Sequence, residues 1–150
     1  MDLLHTAHVP AGDGPFPTVI ALHGWGASAH DLLGLAPLLH GGGALVLCPQ
    51  GPWALAEAGS FAGLVALASW LPGSLADAVG KTPEQAELPV LVLHGTRDTM
   101  VSVDMARASR ERLRDFGVQL MYRELDMAHE LNPEALRIIA RWLEEKAFGE

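Results

Sequence analysis

The sequence predicts an α/β fold built on a doubly wound, mostly parallel five-stranded sheet, and three observations predict it. Short aliphatic or β-branched runs recur along the chain. Segments with helical spacing and helix-capping residues separate them. Three runs end in polar or glycine-containing turns: His23-Gly24-Trp25-Gly26, His94-Gly95-Thr96-Arg97-Asp98 and Asp126-Met127-Ala128-His129-Glu130. A strand that is apolar along its whole length is buried on both faces, and regular strand–helix alternation makes the sheet parallel.

The first strand is expected over 18–22, a β-branched run stopped by His23-Gly24. A helix follows over 28–39, with Ser28 as cap, Asp31 in its first turn and Gly41 just beyond its end; Gly34 and Pro37 interrupt the pattern. Residues 44–48 form the second strand, which Pro49 stops. A turn with one short helical turn fits 50–60, and 61–68 reads as the third strand. Residues 74–80 suit a short helix or loop, and 89–93 form the fourth strand. Helix is strongly signalled over 103–116, with Asp104 near its start, Arg107, Arg110, Arg112 and Arg114 in its later turns, and Gly117 after it. The fifth strand covers 118–125. A last amphipathic helix covers 133–146, with Pro133 in the first turn and Leu136, Ile139, Ala140 and Leu143 at helical spacing.

Composition narrows the function. With 49% apolar and 19% charged residues, the 150-residue chain is no disordered tail. Its length suits one domain over 1–150 with a real core. Ten Lys and Arg against eighteen Asp and Glu leave a net charge of −8, which argues against a broad nucleic-acid surface. One Cys forms no internal disulfide, so a reducing compartment is expected. The opening MDLLHTAHVP lacks the basic start and apolar core of a secretory signal. The most apolar stretch, 61–72, is about half the ~20 residues of a membrane helix. A cytoplasmic protein with no membrane partner is the expectation.

In doubly wound sheets, functional groups gather beyond the carboxyl ends of the strands. The glycines of His23-Gly24-Trp25-Gly26 let the backbone bend tightly and aim N–H groups outward, which suits a developing oxyanion; a plain strand-to-helix turn with a structural His23 fits equally. Asp98, just past the fourth strand, suits either a carboxylate that orients an imidazole or a turn-forming cap. His129, just past the fifth, suits either a general base or a structural imidazole. Two such groups at successive strand ends favour the catalytic alternative. A metal on His23, His94, Asp98 and His129 is the remaining option, but their spacing follows no metal motif, and no metal is expected.

The segments LHGWGASAHDL, CPQGPW, FAGLVALASWLP, LPVLVLHGTRDTMVSVDMAR and VQLMYRELDMAHEL together resemble the phospholipase/carboxylesterase (acyl-protein thioesterase-like) family of α/β-hydrolases, from about Thr18 to Leu143. The resemblance implies a hydrolase of carboxylic esters or thioesters that needs no cofactor. It matches Asp98 to the triad acid and His129 to the base. It matches Gly24-Trp25 to the oxyanion turn, with the Trp25 backbone N–H as donor.

One departure is large. The family carries its nucleophilic Ser in a G-x-S-x-G elbow, and no such motif occurs in this sequence. A central strand–helix unit and the nucleophile with it are missing between Trp53 and Phe61. Closing the gap leaves five strands in the order 2-1-3-4-5, with the crossover over 49–60 barely the dozen residues such a connection requires. One face of so shortened a sheet is expected to expose apolar surface, which suits a homodimer.

Substitute nucleophiles are few. Ser69 ends the third strand but is flanked at two positions by Leu67 and Leu71, which forbids an elbow. Ser28 suits a helix cap. Ser60 is flanked by Ala58 and Ala62. Cys48 lies at a strand end with nothing nearby in sequence to lower its pKa. The expectation is an ester or thioester hydrolase whose activity is weak or uses an unorthodox attacking group, acting on a small ester or acyl substrate. The alternative is a catalytically degenerate module that binds a ligand or dimerises.

Overall fold

A computed structural model describes residues 5–22, 29–49, 62–79 and 83–149. The chain divides into two units, Met1–Glu57 and Ala58–Glu150, each with its own sheet.

The first unit holds β1 (His5–His8), β2 (Thr18–Ile20), α1 (Ala29–Leu33) and β3 (Leu45–Pro49). β3 is central, antiparallel to β1 with Thr6 opposite Cys48, and parallel to β2 with Val19 opposite Val46. Ala44, Val46 and Cys48 alternate along the chain and are fully buried, so one face of β3 is the core face. β1 was not expected from the sequence. Its four residues, His-Thr-Ala-His, contain no apolar run, and it sits at an edge where one ladder holds it. β2 is shorter and less covered than expected: Ile20 and Leu22 are 43% and 44% exposed, because β3 is its single partner among the described residues.

The helix expected over 28–39 stops at Leu33, and a 3₁₀ turn, Ala36–Leu38, follows. Pro37 is the cause. It has no N–H to give the Leu33 carbonyl, and it disfavours helical geometry in the residue before it.

The second unit holds β4 (Leu64–Leu67), α2 (Gly73–Val79), α3 (Pro83–Glu87), β5 (Pro89–Gly95), α4 (Val103–Phe116), β6 (Gln119–Leu125) and α5 (Pro133–Lys146). Its sheet is wholly parallel in the order β4-β5-β6, with Leu67 opposite Leu93 and Gly95 opposite Leu125. Val90, Leu91, Val92 and Leu93 are consecutive and at most 3% exposed. Consecutive burial requires cover on both faces, and α4 and α5 both pack on β5. α4 closes where Gly117 turns left-handed (φ 81°) and returns its N–H to the Arg114 carbonyl. α5 opens where the Asn132 side chain accepts from the Ala135 N–H at 2.8 Å. Arg107 of α4 grips both carboxylate oxygens of Glu124 on β6, at 2.9 and 2.8 Å.

The α/β class and the neighbour relations β3–β2, β4–β5 and β5–β6 are as expected. The single five-stranded sheet is corrected. Six strands form two three-stranded sheets, and no ladder joins β2 to β4 among the described residues. Each of those two strands is short and keeps one partner, and the chain from Pro49 to Leu64 scarcely exceeds the minimum for a parallel crossover. The third strand begins at Leu64, and Phe61 lies outside the described residues.

α5 meets the start of β4 through Trp142, which is 3% exposed and stacks against Gly63. A Cβ on Gly63 would lie 2.7 Å from Trp142 Cη2. Gly63→Ala is therefore expected to destabilise the fold by about 1–3 kcal/mol through overpacking, read by urea denaturation. Adding Trp142→Phe to that variant should show non-additivity in a double-mutant cycle.

Candidate active site

Two strand ends build the site. After β5, the Thr96-Arg97 turn delivers Asp98, whose N–H returns to the Gly95 carbonyl at 3.3 Å. After β6, residues 126–129 deliver His129. The two segments are stitched together: the Thr96 N–H donates to Leu125 O at 2.9 Å and the Arg97 N–H to Met127 O at 3.1 Å. Arg97 also pairs with the Asp126 carboxylate at 2.6 Å and donates to the Asp126 carbonyl at 3.1 Å. Gly95 makes this approach possible. Any Cβ there would collide with the carbonyl oxygens of Met127 and Ala128.

His129 Nδ1 lies 2.9 Å from Asp98 Oδ2. The Asp98 side chain is fully buried, and its other oxygen accepts the N–H groups of Met100 at 2.8 Å and Val101 at 2.9 Å. Burial pushes this carboxyl up. The Val101 N–H, the His129 ring and the Met100 N–H outweigh that and hold it below the usual carboxylate range. An ionised carboxylate only accepts hydrogen bonds, so Nδ1 of the neutral His129 ring carries the proton and Nε2 the lone pair. The His129 side chain is 45% exposed, so the site presents a carboxylate-oriented imidazole with an accessible face.

His94 lies beneath. It is fully buried, its Nε2–H donates to Val101 O at 2.8 Å, and the same nitrogen is 3.6 Å from Asp98 Oδ2. Its Nδ1 has no partner among the described residues.

The structure thus brings Asp98 and His129 together. Gly24 and Trp25, with His23, Ser28 and Ser60, lie outside the described residues. Ser69 follows β4 and is half-buried; before it, Ala68 turns left-handed (φ 47°) and donates to Leu93 O at 3.0 Å. Among the described residues no hydroxyl or thiol lies within hydrogen-bond distance of the His129 ring. Cys48 is buried in β3 of the first unit. Burial raises its thiol, and a hydrogen bond with Thr6 opposes that only in part, so the group suits packing and not attack. No cluster of three or more metal-ligating side chains occurs among the described residues. His94, considered as a ligand, is instead a hydrogen-bonded support. The sequence showed Gly95 as part of a turn but not its close approach to the Met127 and Ala128 carbonyls, nor the amides of Met100 and Val101 as partners of Asp98. A usable signal was a polar His closing a wholly apolar strand four residues before Asp98.

A family model described as phospholipase/carboxylesterase matches residues 41–146. Among solved structures, the chain is similar to esterase PE8 (15% identity, TM-score 0.78, 97% of this chain and 100% of that one). It is also similar to Zea mays acyl-protein thioesterase 2 (17%, TM-score 0.72, 93% and 97%) and to the Bacillus cereus carboxylesterase (14%, TM-score 0.70, 93% and 92%). At these identities the structural likeness shows the fold.

Two outcomes follow from the site's geometry. Asp98 is depressed in the folded protein, so its stabilisation is complete above the unfolded carboxyl value of ~3.9 and disappears as pH falls through the lower folded value. Asp98→Asn should flatten that acid limb when unfolding is followed from about pH 6 to about pH 2. Gly95→Ala should cost about 1–3 kcal/mol or more, because both colliding atoms are backbone, and should shift the amide resonances of 126–129.

Proposed function

Because the chain belongs to the phospholipase/carboxylesterase family of α/β-hydrolases, we propose that Asp98 and His129 are the acid–base dyad of a hydrolase acting on carboxylic esters or thioesters. The observation that carries this reading is the 2.9 Å contact from His129 Nδ1 to a buried, thrice-bonded carboxylate, with Nε2 left unpartnered among the described residues. On this reading the attacking group is water. Nε2 takes a proton as the water oxygen adds to the carbonyl carbon. The Asp98 carboxylate stabilises the imidazolium that forms. The imidazolium then returns its proton to the departing alkoxide or thiolate as the tetrahedral intermediate collapses, leaving a carboxylic acid.

A second reading, a catalytically degenerate module, is favoured by the missing G-x-S-x-G elbow. Turnover of p-nitrophenyl acetate separates the two. His129→Ala should lower the rate by about 10²–10⁴-fold, the usual contribution of a general base, and Asp98→Asn should also lower it. A rate that His129→Ala leaves unchanged would assign the chain to the degenerate class. A fluorophosphonate probe should label no serine; labelling of Ser69 would put a covalent route in place of water.

A further inference from the structure

We propose that His94 is a positioning residue of the dyad: its Nε2–H fixes the turn at residues 98–101 so that one Asp98 oxygen is taken by amides and the other is kept for His129. The inference rests on the dyad reading, and it concerns a residue two steps from the reacting atoms.

The connections run in a closed loop. His94 Nε2 donates to the Val101 carbonyl at 2.8 Å. The Val101 N–H, on the same residue, donates to Asp98 Oδ1 at 2.9 Å, with the Met100 N–H beside it at 2.8 Å. Oδ2 therefore has one rotational position, 2.9 Å from His129 Nδ1. The Val101 carbonyl only accepts, which makes Nε2 the protonated nitrogen of the neutral His94 ring. The same nitrogen stands 3.6 Å from Oδ2, too far for a hydrogen bond, so the link from His94 to Asp98 runs through Val101.

A purely packing role explains less. His94 is 0% exposed on the central strand, where Val90 to Leu93 are all aliphatic, and its Nδ1 is buried without a partner among the described residues. An aliphatic side chain would fill the space without that unsatisfied atom. The imidazole differs from it in one respect that the structure uses, a donor at the reach of Nε2. Gln carries an N–H₂ donor at nearly that reach, whereas Asn is one bond shorter and Leu has none.

The test reads the tautomer of His129 from its ring ¹⁵N shifts at a pH where the ring is neutral, in the full chain. The expected pattern is Nδ1–H in the wild type and in His94→Gln. His94→Leu should move toward the Nε2–H form expected of Asp98→Ala, and p-nitrophenyl acetate turnover should fall with it. A folded His94→Leu that keeps Nδ1–H overturns the proposal. If His94→Leu does not fold, Gln against Asn decides: wild-type tautomer in both overturns it, and loss in Asn alone supports it. A wild-type ring in the Nε2–H form would remove the dyad itself, a failure distinct from retention of Nδ1–H in the variants.

Discussion

The Asp98 carboxylate has no contact with solvent, and a charge in that position is tolerable only when every donor around it is in place. Two donors are backbone amides three residues or fewer away, so the charge dictates the shape of the 98–101 turn. The third is His129, so the same charge draws in the loop after β6. That loop reaches it only because Gly95 offers no Cβ to the Met127 and Ala128 carbonyls. Charge, turn and loop are thus one arrangement. Loss of any donor leaves the others around an undercompensated anion.

All of these parts lie in the unit Ala58–Glu150. β5 supplies Asp98, β6 supplies His129, and α4 and α5 cover the strands that carry them. The segment whose absence distinguishes this sequence, the elbow and its strand and helix, falls before β4. A dyad wired within one three-stranded sheet can keep its geometry when chain is lost outside it. Within their own units, β2 and β4 each keep one partner among the described residues, and Ile20, Leu22 and Leu64 are 43%, 44% and 43% exposed.

The sequence was most legible where the deciding physics is local. Val103–Phe116 and Pro133–Lys146 are helices with the expected bounds, because Gly117, Asn132 and Pro133 mark ends that depend on a few neighbouring atoms. Asp98 and His129 were legible for a related reason, since each stands just beyond an apolar strand in a parallel sheet. Sheet pairing is a property of distant segments, so β1 went unseen and the join between β2 and β4 was expected without a ladder to support it. Gly95 and His94 were half legible. Their residue types stand out at the end of β5, but their work depends on carbonyls at 101, 127 and 128, and only the fold shows those approaching.

On the proposed reading, the exposure of His129 bears on how strong a catalyst the pair makes. In a triad the base holds a hydroxyl already aligned for attack, and that alignment contributes up to about 7–11 kcal/mol of the barrier reduction. Here Nε2 faces a reactant that must arrive from solvent. On that reading, orientation of the attacking group is forfeited, while general-base catalysis, typically about 10²–10⁴-fold, would remain. The buried carboxylate still fixes the tautomer and still stabilises the imidazolium, so the loss falls on nucleophile placement and not on proton transfer. A site that works as proposed would favour substrates whose leaving group departs readily, activated esters and thioesters before amides, because a loosely held water would have to do what a fixed hydroxyl does elsewhere. Selectivity by leaving-group quality would then follow from keeping the base and its carboxylate without an elbow.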